Sequence, residues 1–154
     1  MLTQCPNCHA KSLKDRLAEK VKVVGGHRFR AFVPGQECQK CGESFYDIRP
    51  LARFDQLVAK ELADAGVKSG EALRFIRKAA GVPAIDLAAL LDVRPETVSR
   101  WEHDKRPIDR GSYAVLHQLL IEKLAENTAT ADYLRGLGKP KRLPKTIKLE
   151  IEAA

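Results

Sequence analysis

Arg94-Pro-Glu-Thr-Val-Ser-Arg-Trp-Glu102 carries two patterns at once. Pro95 has a fixed φ and no N–H to lose, so it suits the first position of a helix. Val98 and Trp101 then fall three apart on one face. Thr97 and Arg100 repeat that spacing on the other face, with Glu96 beside them. One side is fit to pack, and the other offers groups of the kind that read base edges in double-stranded DNA. The stretch is predicted to be a DNA recognition helix, with Trp101 in the core in register with Val98 rather than stacking on a base.

Working outward, the flanks read as a succession of short helices. Residues 69–80 form one, with Leu73, Ile76 and Ala80 inward and Gly81 as its stop. Residues 83–91 form the next, with Leu87, Ala88 and Leu91 inward, and Asp92-Val93-Arg94 makes a tight turn into the opening stretch. A further helix begins near Asp109, a good N-cap, and continues through Lys123; a shorter one fits 130–137, ended by Gly136 and Gly138. Short helix, tight turn, helix is the helix-turn-helix arrangement. Residues 69–138 are therefore expected to form a five-helix, Cro/repressor-like DNA-binding and dimerisation domain. Before it, residues 51–65 are apolar at 51, 54, 57, 58 and 62 and end at Gly66. This segment of 51–68 is either a linker helix or an accessory first helix. A boundary is placed at 47–50, because Pro50 biases Arg49 away from helix.

Residues 1–50 hold all four cysteines, as Cys5-Pro-Asn-Cys8 and Cys38-Gln-Lys-Cys41. Each Cys-x-x-Cys pair can supply two corners of a tetrahedron, so Cys5, Cys8, Cys38 and Cys41 are predicted to bind one structural Zn²⁺. Four thiolates leave no open position for catalysis. Two disulfides are the rival reading, disfavoured where no export signal is seen. Gly42 follows the second pair and can bend sharply there, freeing backbone N–H groups to face sulfur. His9 and His27 are expected to be surface residues rather than ligands. Between the pairs, 19–24, Gly25-Gly26 and 27–33 form a β-hairpin candidate. So small a segment buries too little apolar surface to fold unaided, and the metal would supply the missing stability. The fold class expected is mainly α, with a small zinc-bound, β-containing N-terminal domain.

Forty-four per cent hydrophobic and 31% charged residues exclude disorder. There is no apolar run of about 18 residues for a membrane span, and the first residues lack a signal peptide's pattern. A cytoplasmic location is expected. The net charge of +7 points to a polyanionic partner, but its distribution weakens that argument. Residues 69–127 carry nine basic and nine acidic side chains, so DNA binding must rest on placement. Arg94, Thr97, Ser99, Arg100 and Glu96 are the candidate contacts near the helix, with Lys105 and Arg106 placed for phosphates. An enzyme is not expected: the cysteines are consumed, and no Ser/His/Asp or carboxylate constellation is suggested by spacing.

Leu73-Arg-Phe-Ile-Arg77, Asp86-Leu-Ala-Ala-Leu-Leu-Asp-Val93 and Thr97-Val-Ser-Arg-Trp-Glu102 resemble the Cro/repressor-type (XRE-type) helix-turn-helix family. The pair Cys-Pro-x-Cys and Cys-x-x-Cys-Gly-Glu resembles the YgiT-type zinc finger. In this order the chain is similar to the MqsA-type antitoxins, over residues 3–127. The resemblance implies that the zinc domain binds a ribonuclease toxin, while the helical domain dimerises and represses its own operon. It also implies that an Asn and an Arg four residues apart read bases. Arg100 matches the Arg, but Glu96 stands where the Asn would be. Ala84 replaces the usual Gln at the start of the second helix, and Asp92 the turn Gly. Arg100 can pair bidentately with guanine. Glu96 either accepts from cytosine N4 or favours the helix N-terminus electrostatically. The residues at 113, 115, 116, 119, 120, 121 and 124 make a face wider than one small domain needs, so a homodimer is expected to cover it. The tail of 139–154 is basic and extended, with a strand-like alternation at 147–151.

Overall fold

Gly25 and Gly26 sit at φ values of +57° and +81°, the left-handed pair that a two-residue hairpin turn requires. In the computed structural model, which describes residues 2–150, they join β1 (Leu13–Val24) to β2 (His27–Cys38). Pairing is antiparallel from Val24↔His27 to Leu13↔Cys38, so the hairpin is longer than the alternation of apolar residues predicted. Polar pairs hold the added length: Arg16 pairs with Glu37, and Gln36 donates to the Asp15 carboxylate at 3.0 Å. A short β3 (Ser44–Tyr46) completes the sheet in the order β1-β2-β3. Gly35 permits its approach, since a Cβ there would lie 2.5 Å from the Phe45 carbonyl oxygen.

Among the described residues six helices follow: α1 (Ile48–Asp64), α2 (Gly70–Ala79), α3 (Ala84–Leu90), α4 (Pro95–Glu102), α5 (Arg110–Leu124) and α6 (Ala129–Leu137). The fold is thus a mixture of helices with one small antiparallel sheet. Helix α1 runs through the expected boundary at 47–50 instead of starting after it. Asp47 caps it by accepting the Arg49 N–H at 3.1 Å. Pro50 falls in the first turn, where no intrahelical N–H is needed.

One cluster of buried side chains runs from Val24 and Val33 of the hairpin through Phe54, Val58 and Leu62 of α1 to Ile76, Leu87, Val98, Trp101, Leu116 and Leu120. The accessory segment is therefore a packed helix, lying against α2, α5 and β2. Its Leu57, predicted in the apolar stripe, is exposed.

The width of α5 has a different explanation from the one expected. Tyr113, Leu116, Leu119 and Leu120 are buried, and Val115 and Leu124 pack against the same core. Helix α1 covers one flank, where the Tyr113 hydroxyl donates to the carbonyls of Ala63 (3.3 Å) and Val67 (3.1 Å). Helix α6 covers the other; Glu122 at the end of α5 accepts the Thr130 N–H and hydroxyl at 2.9 and 2.6 Å. Most of the apolar face of α5 is thus covered within one chain, and Ile121 stays half-buried outside that cluster.

Residues 139–150 take no regular structure, so the alternation beginning at Ile147 forms no strand; Ile151 lies outside the described residues. No helix among the described residues is long and apolar enough to cross a membrane.

Candidate functional site

The long hairpin brings the two cysteine pairs together, because Cys38 ends β2 beside the start of β1. The sulfurs of Cys5, Cys8, Cys38 and Cys41 all lie within 4.8 Å of one another. Cys5 and Cys41 are 3.6 Å apart, and Cys8 and Cys38 3.5 Å. No disulfide joins them. A tetrahedral ion with metal–sulfur bonds of about 2.3 Å holds its sulfurs about 3.8 Å apart, so the donor set and its spacing fit a single metal ion.

The two pairs are built alike. The Cys5 N–H donates to the Ala10 carbonyl, and the Cys38 N–H to that of Glu43, both at 2.9 Å. The His9 N–H returns to the Cys5 carbonyl at 2.9 Å, and the Gly42 N–H to that of Cys38 at 2.8 Å. Both turning residues have positive φ, +56° for His9 and +74° for Gly42. His9 thus takes the backbone role of the glycine, with its ring exposed; His27 is also exposed, at the far tip of the hairpin. The shared position, four residues after the first cysteine of each pair, was the sequence signal for His9.

The thiols perturb one another. Cys38 is lowered to about 6, first by a hydrogen bond from the Cys41 backbone and then from that of Lys40, against desolvation. At Cys8 the Ala10 backbone works downward, but desolvation and the thiols of Cys38, Cys41 and Cys5 outweigh it and push the group up to about 12. Crowded thiols resist ionising together; a divalent cation reverses that by becoming the largest local charge.

The second candidate surface is α4. The turn before it uses Asp92 at φ +52°, a conformation that Asp tolerates better than most residues. Pro95 occupies the first helical turn. Val98 and Trp101 are 1% and 4% exposed, which seals one face into the core. Arg94, Glu96, Ser99 and Arg100 are exposed and Thr97 is half-buried. Asp104 at φ +54° ends the helix: its N–H donates to the Trp101 carbonyl (3.3 Å) and that of Lys105 to Arg100 (2.9 Å), a left-handed C-terminal cap. Lys105 and Arg106 emerge exposed from this cap.

What holds α4 was not read from the sequence. Arg77 of α2 is buried and donates to the Glu102 carboxylate from Nε (2.5 Å) and Nη2 (3.2 Å), and to the Val82 carbonyl from Nη1 (2.9 Å). The signal was present, since Arg77 continues the inward stripe of Leu73 and Ile76, and a cation there needs a buried partner. Gly70 completes the joint. Its N–H donates to Asp104 at 2.7 Å, and a Cβ would lie 2.4 Å from the Glu102 carbonyl oxygen.

No family of known proteins, no curated protein and no solved structure matches this chain.

Two outcomes follow from this geometry. Cys38→Ser is expected to lose bound metal, measured by mass spectrometry of the purified chain, and to speed amide exchange across 13–38; full metal content in the variant would remove Cys38 from the ligand set. Glu102→Ala strands the Arg77 cation and is expected to cost about 3–5 kcal/mol in urea unfolding, with most of the loss recovered in Arg77→Met/Glu102→Leu.

Proposed function

We propose that this chain is a sequence-specific DNA-binding transcription regulator, and that α3 and α4 act as its helix-turn-helix. The observation that carries this reading is the two-faced α4, with Val98 and Trp101 sealed inward and Arg94, Glu96, Ser99 and Arg100 outward. A helix fixed at both ends presents such groups in a set register, which base readout requires. Arg100 is assigned to guanine O6 and N7. Lys105 and Arg106 are assigned to phosphates, which position the protein without reading sequence. Thr97, half-buried, is assigned to the helix start beside Arg94. The ion proposed for the four thiols is one Zn²⁺, structural because four thiolates leave it no open position. The reading assigns no catalysis and a cytoplasmic location.

A second role is proposed for the hairpin. Leu17, Val21, Val23 and Phe32 are exposed on its outward face, and β1 is an edge strand. An apolar sheet face beside an open edge suits a protein partner. Taken with the resemblance, that partner is a ribonuclease toxin, which makes the chain its antitoxin and an autorepressor. The alternative is a regulator of the same build with no toxin, favoured by the basic charge of residues 1–50, which does not complement a basic ribonuclease. A homodimer is proposed through the helical half. With most of the α5 face covered internally, α6 is the face assigned: none of its residues is buried, and Tyr133 and Leu137 are exposed.

Selection from random double-stranded DNA is expected to enrich one site. Arg100→Ala should weaken binding to it by about 1–3 kcal/mol without changing helicity, whereas Lys105→Ala/Arg106→Ala should weaken all sequences alike and flatten the salt dependence by about two. Enrichment of no sequence would overturn the reading. A tagged copy purified from its native host is expected to bring down one small protein, lost in Phe32→Glu; recovery of none supports the regulator without a toxin.

A further inference from the structure

The tip of the hairpin and the end of α4 grip the same turn of α2 from two sides. On the hairpin side, the Gly25 N–H donates to Glu71 Oε2 at 2.9 Å. A Cβ added at Gly25 would meet Ser69 Oγ at 3.4 Å, Val67 Cγ1 at 3.5 Å and Ala72 Cβ at 3.6 Å, so the tip stands no more than about one side-chain carbon from the start of α2. Val24 beside it is 4% exposed, inside the common core. Lys22 reaches across to pair with Asp55 of α1 and lies 5.2 Å from the Phe75 ring of α2. On the α4 side, Gly70 touches the Glu102 backbone and its N–H is held by Asp104. The two grips fall on adjacent residues, Glu71 and Gly70.

We infer that the hairpin tip positions α4, with Glu71 as the positioning residue, so that events on the hairpin are transmitted to the reading helix through the first turn of α2. The chain of contacts is short and polar at both ends: Gly25 to Glu71, then Gly70 to Asp104 and Glu102, with Arg77 about two turns further along α2 closing on Glu102. Packed elements of this kind shift between discrete arrangements rather than deforming smoothly. The twelve-residue strands span roughly 35–40 Å at about 3.4 Å per residue, so a hairpin anchored by the cysteine cluster at one end and by α2 at the other is a lever between the two candidate sites. A two-stranded hairpin alone is marginal in water, and this one depends on both anchors. The consequence for function rests on the reading of α4 as a DNA contact: a partner that draws the tip from α2 lowers DNA affinity, and bound DNA lowers the partner's affinity by the same factor.

The test needs no DNA. Trp101, the single tryptophan of the chain, lies buried on α4 and reports its packing by fluorescence, while amide hydrogen exchange resolves 95–102 from 110–124. The full chain is compared with Glu71→Ala, Glu71→Gln and, from the hairpin side, Val24→Ala. Glu71→Ala and Val24→Ala are expected to raise exchange in 95–102 at least fivefold and to red-shift Trp101, leaving 110–124 within twofold. Glu71→Gln keeps an oxygen that accepts the Gly25 N–H and is expected to stay within twofold of the parent. Loosening of the tip at 23–28 with α4 unchanged would overturn the inference. Equal loosening in Glu71→Gln would also overturn it, assigning the effect to the carboxylate's charge at the α2 N-terminus. Because the readout is free of DNA, a chain that binds no DNA sinks the proposed function and leaves this coupling standing, while an indifferent α4 does the reverse.

Discussion

A guanidinium and a carboxylate lie buried side by side where α2 meets the end of α4. Arg77 and Glu102 are each about nine-tenths removed from water at the side chain, and all that compensates their desolvation is each other and the Val82 carbonyl. Such a pair adds little net stability compared with an apolar pair of the same shape, but separating it is costly. Any arrangement in which α4 slides or rotates must open the pair in a low dielectric. The geometry of the helix that carries Arg94, Glu96, Ser99 and Arg100 is therefore set by an interaction on its hidden side. Gly70 and Asp104 add steric and hydrogen-bonding conditions to the same joint.

The hairpin answers a different constraint. Its outward face is largely solvated, and only Ala18, Val24, Val33, Gly35 and Cys38 are buried along its two strands. That is too little to hold twenty-four residues in register by burial alone. Order comes from the ends: the glycine turn seated on α2, and four sulfurs gathered where the strands begin and finish. Crowding four thiols is unfavourable unless a cation draws them into ionisation, and ion binding at such a cluster is at once folding free energy for the segment around it.

Charge placement follows the same economy. The helical region carries as many acids as bases, and burial removes few of them: Glu102 goes inside with Arg77, and Glu122 is buried against Thr130, while Glu71, Asp104 and Asp109 hold backbone N–H groups from exposed positions. Arg94, Arg100, Lys105 and Arg106 remain exposed. The count stays close to neutral at the surface, so any attraction for a polyanion rests on where these exposed bases stand.

Much of this was readable from residue order. The two Cys-x-x-Cys pairs, the Gly25-Gly26 turn, the first-turn Pro95 and the three-residue spacing of Val98 and Trp101 act through dihedral preference and local spacing, which neighbours in sequence determine. The full length of the hairpin was not readable, because polar partners such as Arg16 and Glu37 leave no apolar alternation. Nor was the start of α1 at Ile48, since a proline in the first turn and one just before a helix look alike in sequence. The wide apolar face of α5 showed that something must cover it, and the sequence had no means to say that α1 and α6 cover most of it. By itself, then, the sequence determined which segments coil, turn and gather sulfur. Only the tertiary structure decided which surfaces meet, as in Arg77 with Glu102 and Gly25 with Glu71, because burial and close approach depend on distances across space that spacing along the chain does not encode.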